Sequence, residues 1–246
     1  MSYEPVYADD SARFNERARG YIDRSNPEIR CPCLLLLDTS GSMQSEDTYG
    51  KSAISKLNEG LLTIKRAIEQ DSTARDRVEL AVITFGGSVE IVSGFRPVDK
   101  FNPECLTASG GTPLRQALRK AIEFLRRQKD AYQKEGKPYD RPWIFLITDA
   151  DRKGMDHGWE SAVAEIRQQE AGGHLVFFPF GIEPADRSVL QQLDGEHVKA
   201  CILKDNPGSI AELFKWLSNS LSRKSQAGGR GGQVSLPSTD SFTVPI

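Results

Sequence analysis

A chain of 246 residues has room for one medium domain with a sizeable core and short appendages. Its 32 basic and 34 acidic side chains leave a net charge of −2, which argues against an extended basic face and so against nucleic acid as the partner. No run approaches the roughly 20 apolar residues that cross a bilayer, and the start of the chain lacks an apolar signal core, so the expectation is a cytoplasmic protein with no membrane partner.

In chain order, residues 1–29 are polar and charged and read as a mobile N-terminal extension. Cys31-Pro32-Cys33 leads into the apolar run Leu34 to Leu37, a buried strand that delivers Asp38-Thr39-Ser40-Gly41-Ser42 at its carboxyl end. The two cysteines have neither a second Cys-x-x-Cys nor histidine ligands to complete a zinc site. With Cys105 and Cys201 they are too scattered for a disulfide framework, so they are read as reduced and structural.

Ile54, Leu57, Leu61, Ile64 and Ile68 recur by threes and fours, one helical stripe. Val78 to Phe85 reads as the next strand, and Gly86-Gly87 turns it into a short antiparallel edge strand at 89–92. Leu114, Ala117, Leu118, Ala121, Ile122 and Leu125 mark a second amphipathic helix that runs into a charged stretch. Trp143 to Thr148 forms a strand with Asp149 at its carboxyl end, as Asp38 stands at the end of the first. Helix, strand, short helix, strand and helix follow near 159–169, 175–180, 187–193, 198–203 and 210–221.

This alternation implies an α/β fold: a doubly wound, mostly parallel six-stranded sheet with helices on both faces, over residues 30–222. Residues 223–246, with Gly228, Gly229, Gly231 and Gly232 followed by Ser, Pro and Thr, read as a flexible tail. With several Ser/Thr and the apolar end Phe242 to Ile246, the tail from Ser222 is a candidate phosphorylation substrate or partner-binding strand.

Asp38, Ser40 and Ser42 offer a carboxylate and two hydroxyls at alternating positions. Thr112, in Ser109-Gly110-Gly111-Thr112-Pro113, and Asp149 add oxygen donors from two further segments. Such a set suits a hard cation, Mg2+ first and Mn2+ or Ca2+ as alternatives, over zinc. Each residue also has a plain structural use: Ser40 and Ser42 as caps of the helix after Tyr49, Thr112 as the cap ahead of Pro113, and Asp149 as a turn former. Separate capping roles give no reason for donors so uniformly hard. The three histidines, at 157, 174 and 197, occupy loop or strand-start positions and form no nucleophilic triad, and Gly110-Gly111-Thr112 lacks the lysine of a P-loop.

The order D-x-S-x-S, then T, then D resembles the metal-ion-dependent adhesion site of von Willebrand factor A domains. The surrounding text, including Leu57 to Leu61, Ala81 to Gly86, Gly110 to Leu114 and Arg141 to Asp149, is similar to the bacterial TerY/YegL branch of that family. The resemblance implies a domain that binds Mg2+ through Asp38, Ser40, Ser42, Thr112 and Asp149, is no enzyme, and engages a protein partner whose acidic residue completes the coordination. It further implies a stress, tellurite-resistance-like or phage-defence setting with a Ser/Thr kinase and a PP2C-type phosphatase. The stretch Ala150-Asp151-Arg152 departs from the branch, whose members usually have glycine after the aspartate, and Asp151 is read as a surface turn residue. Two other readings compete: a metal-independent scaffold that works through its tail, and a haloacid-dehalogenase-like Mg2+-dependent phosphatase, which would need an acid where Ser40 stands.

Overall fold

The computed structural model describes residues 20–152, 155–195, 198–204, 206, 208–227 and 235–245. Its sheet has seven strands in the order β3-β2-β1-β4-β5-β6-β7. They are β1 (Cys31–Asp38), β2 (Val78–Gly86), β3 (Ser88–Pro97), β4 (Trp143–Thr148), β5 (Val176–Ile182), β6 (Cys201–Leu203) and β7 (Thr243–Pro245). The helices are α1 (Ala53–Gln70), α2 (Ser72–Arg77), α3 (Leu114–Lys134), α4 (Trp159–Ala171), α5 (Arg187–Gln192) and α6 (Ser209–Gln226). β1, β2, β4, β5 and β6 run parallel, while β3 and β7 close the two edges in antiparallel pairing.

The uninterrupted leucines of β1 follow from burial on both sides. Leu35 and Leu37 face the layer of α1 and α6, and Leu34 and Leu36 face α3 and α4, since strand side chains alternate. On the first side Leu57, Leu61 and Ile64 of α1 and Leu213, Leu217 and Leu221 of α6 complete one core, each fully buried side chain contributing roughly 1.5–3 kcal/mol. Gly60 is what lets the two helices meet: a Cβ there would stand 2.1 Å from the Phe214 ring. Asn58, two residues before that contact, clasps the long loop ahead of α3, donating to Leu106 O at 2.9 Å and accepting from Leu106 N at 2.7 Å.

Three expectations are corrected. The sheet has seven strands because the last residues of the tail pair with β6, Ile202 opposite Val244, and bury Phe242 against Trp216. An aromatic side chain and an unpaired sheet edge outweigh the tail's polar composition. Residues 20–30 pack against the domain, while residues 1–19 of the expected extension lie outside the described residues. The Arg30 guanidinium there bonds the carbonyls of Asp23, Asn26 and Asp76 at 2.9–3.3 Å, and Tyr21 N donates to Phe95 O at 2.8 Å. The edge strand β3 extends to Pro97, well past the residues its sequence pattern marked.

All four cysteines are free. Burial pushes the Cys31 thiol up to about 12, and it donates to Asp140 Oδ2 at 3.3 Å, so it is a packed, inert side chain.

Candidate metal centre

β1 lies between β2 and β4, so the chain winds outward from it in both directions and the β1–β4 boundary is where the winding reverses. Ligands of open α/β sheets bind at the carboxyl ends of the strands beside such a reversal. Asp38 ends β1 and Asp149 follows β4 at this place.

Four of the five expected donors form one hydrogen-bonded cluster. Asp38 Oδ1 accepts from Ser40 N at 2.8 Å, Ser40 Oγ and Ser42 Oγ are 3.0 Å apart, and Ser42 Oγ donates to Asp149 Oδ2. Asp38, Ser40 and Asp149 are buried and Ser42 is exposed, so the cluster opens to solvent on the Ser42 side. Thr112 is buried on the neighbouring loop, with no side-chain bond that ties it into the cluster.

That loop is seated on the cluster's backbone. Gly41 N donates to Gly110 O at 3.0 Å, Ser109 N to Thr39 O at 2.8 Å and Gly87 N to Gly111 O at 2.9 Å. The approach is close enough to require glycine. Gly110 has φ 74°, and a Cβ on it would lie 2.5 Å from Gly87 Cα. The glycines of the 109–112 stretch therefore serve to bring Thr112 beside the end of β1.

The capping alternatives do not hold. The helix after Tyr49 is capped by Ser52, which accepts from Ser55 N at 3.3 Å, and the cap position of α3 falls on Pro113 with no side-chain cap. Ser40 precedes only a four-residue 3-10 turn, Gly41–Gln44, and makes no side-chain cap there.

One positioning residue escaped the sequence reading. Thr148, the last residue of β4, donates to Asp38 Oδ2 at 2.5 Å and accepts from Ala150 N at 2.9 Å. It fixes the Asp38 carboxylate and helps hold Ala150 at φ 50°, a left-handed conformation that glycine takes more readily. The signal was a β-branched hydroxyl next to Asp149, which by itself reads only as strand. Arg152 pairs with Asp186 and donates to Ser188 Oγ at 2.9 Å, and Arg115 pairs with Asp156. Together these hold the chain on both sides of 153–154. Trp159 is buried at the start of α4, a packing residue as its position suggested, and His197 lies outside the described residues.

The electrostatics show a shortage of positive charge. Burial, and then the neighbouring Asp149, raise the Asp38 carboxyl to about 6. Asp149 Oδ1 is buried without a hydrogen-bond partner. A buried acceptor left in this way costs on the order of 1–3 kcal/mol unless something binds it. Among the described residues no group of three or more His, Cys, Asp or Glu is placed to hold a metal, so a cation here must be met by two carboxylates and hydroxyls. That donor set fits a hard divalent ion.

A doubly wound sheet with Asp-x-Ser-x-Ser at its switch point defines a class of domain, and the comparisons agree with it. Residues 33–152, just under half of the chain, match the family model of the von Willebrand factor type A domain. Domains of this type are generally interaction modules and not enzymes. No curated protein matches the sequence.

Among solved structures, the PilB minor pilin from Streptococcus sanguinis is 14% identical with a TM-score of 0.54, over 79% of this chain and 62% of that one. The pilus adhesin SpaC from Lactobacillus rhamnosus GG is 14% identical with a TM-score of 0.58, over 81% of this chain and 32% of the adhesin. The vWF domain of the type V pili tip protein Mfa5 from Porphyromonas gingivalis is 10% identical with a TM-score of 0.54, over 82% of this chain and 98% of that domain. The chain thus spans less than two thirds of the pilin and the adhesin, and at these identities the likeness is one of fold.

Proposed function

We propose that the chain is a divalent-cation-dependent protein-interaction module. Asp38, Ser40, Ser42, Thr112 and Asp149 would hold Mg2+, or Mn2+ or Ca2+ in its place, and an acidic side chain of a partner protein would complete the coordination. The observation that carries the reading is the buried Oδ1 of Asp149, which has no hydrogen-bond partner, beside a second buried carboxylate, with no cationic side chain among the described residues bonded to either. The bound ion would supply a positive charge for the partner's carboxylate, and only two anionic donors oppose that charge.

The chain's own residues do the positioning. Thr148 and the Ser40 amide orient Asp38, and Ser42 orients Asp149, so the donors are held in place before any ligand arrives. The exposed Ser42 marks the side from which a partner would approach.

On the resemblance of its motifs to the TerY/YegL branch, this module would act in a bacterial stress, tellurite-resistance-like or phage-defence system, as a cytoplasmic adaptor for a Ser/Thr kinase and a PP2C-type phosphatase. No helix among the described residues is long and apolar enough to cross a membrane. The phosphatase alternative is disfavoured because Ser40, which stands where a general acid is needed, shares its hydroxyl with Ser42.

Isothermal titration of the metal-free chain with magnesium chloride tests the reading. The expected result is one saturable site in the unaltered chain and none in Asp38→Ala with an unchanged circular dichroism spectrum. Equal magnesium binding by both chains would overturn it. Partner capture from lysate with and without chelator then asks whether the ion bridges the two proteins.

A further inference from the structure

β6 is three residues long and would be the exposed edge of the sheet if the chain ended at α6. A bare edge presents unpaired N–H and C=O groups that accept any extended strand. Here the occupant is the chain's own β7, antiparallel, with Cys201 opposite Pro245, Ile202 opposite Val244 and Leu203 opposite Thr243. Lys204 extends the pairing past the ladder. Its N–H donates to Phe242 O at 2.8 Å, and its Nζ donates to the carbonyls of Asp240 and Ser241 at 2.5 and 3.0 Å.

Apart from these bonds, the segment is anchored chiefly by one fully buried side chain, with Leu236 and Val244 partly buried beside it. Phe242 is 2% exposed and meets the Trp216 ring edge-on, 6.5 Å between centroids, while the indole N–H of Trp216 donates to Pro237 O at 2.8 Å. A groove of about 660 Å3 opens beside the ladder, lined by Ile182, Leu203, Ser209, Ile210 and Val244 among others. Backbone bonds carry no sequence information, so selectivity rests on the aromatic that enters against Trp216. A three-residue ladder is weak by itself.

We propose that the β6 edge and the Trp216 pocket form a strand-accepting site, kept filled by residues 235–245, and that a partner protein binds by inserting an extended segment with an aromatic at the place of Phe242. The site lies at the sheet edge, two strands from the β1–β4 boundary, and does not depend on the cation reading. An external segment must compete with a tethered one, whose effective concentration is in the millimolar range, so the unaltered chain binds such segments weakly.

The test uses the full-length chain and a fluorescein-labelled peptide of the sequence of residues 235–246, followed by anisotropy. The expected result is saturable binding to the Phe242→Ala chain, about ten-fold or more tighter than to the unaltered chain, whose own tail competes. A peptide that carries alanine in place of the phenylalanine does not bind. Equal affinity for both chains, or no binding to a Phe242→Ala chain with a native spectrum, overturns the proposal. Should that variant fail to fold, hydrogen exchange on the unaltered chain decides. The Lys204 and Thr243 amides should exchange through an opening separate from that of Leu36 and Phe145, and a single common rate for all four overturns the proposal.

Discussion

The two ends of the sheet solve the problem of a buried carboxylate in different ways. Near the amino end of β2, Glu79 is fully buried and burial lifts its carboxyl to about 7. Tyr132 donates a hydrogen bond to it, and the Arg30 Nε, equally buried, lies 3.6 Å away. At the carboxyl ends of β1 and β4, Asp38 is just as buried, but its charged neighbour is a second acid, Asp149, and hydroxyls fill the remaining places. One end carries its counter-charge on the chain. The other sets acid beside acid, an arrangement that the proposed cation would relieve.

The largest effect should come from removing the internal counter-charge. Arg30→Met leaves buried Glu79 without its arginine and removes three guanidinium bonds to carbonyls, and should cost about 3–5 kcal/mol in denaturant unfolding, with or without magnesium. A loss below about 1 kcal/mol would break the comparison, because it would show that Arg30 supplies little of what Glu79 needs.

Next is pH. Both carboxyls have folded-state values above their ordinary ones, Glu79 from 4.5 to about 7 and Asp38 from 3.8 to about 6. The folded chain therefore keeps protons that the unfolded chain releases, and stability is fully present near pH 4 and lost as pH rises toward 7. The loss is on the order of 3 kcal/mol for each group in metal-free protein. Magnesium should cancel the Asp38 part, between about pH 4 and 6, and leave the Glu79 part, which Glu79→Gln removes. Thermal melts across this range, with magnesium or with chelator, separate the two ends.

At fixed pH, magnesium at a hundred times its Kd should stabilise the chain by about 2.7 kcal/mol. Asp149→Asn should abolish that gain while making the metal-free chain about 1 kcal/mol more stable, since it relieves the repulsion on Asp38. A metal-free Asp149→Asn chain less stable than the unaltered one would show that Asp149 serves structure first. The smallest change is Thr148→Val, which removes one hydroxyl bonded to Asp38. It should lower stability by about 1 kcal/mol and magnesium affinity about ten-fold, read by calorimetry.

Much of the fold was legible because periodicity is a local property. The runs of β1, β2, β4 and β5 and the stripes of α1, α3 and α6 stand in the sequence where the structure has them, and four of the five candidate donors meet in one cluster. What was missed is short or polar. α2 is six residues with a single buried side chain, Ala74, and depends on the Asp71 cap for its start. β7 is three residues inside a tail whose composition reads as unstructured, and only the Trp216 pocket and the β6 edge give it a place. Arg30 stands at the domain boundary with no sequence signal for burial, yet its guanidinium is wholly buried among carbonyls.

Local chemistry along the chain thus determined which segments are strands and helices, and that oxygen donors stand at two strand ends. Only the folded arrangement decided that β1 and β4 are neighbours, that glycines at 87 and 110 let a third loop close on them, and that one acid ends with an arginine while another ends facing a second acid. The physical reason is that hydrophobic periodicity is written every two to four residues. The charged neighbour of a buried carboxylate is instead set by whatever packing brings beside it, from 49 positions away for Glu79 and Arg30 and 111 for Asp38 and Asp149.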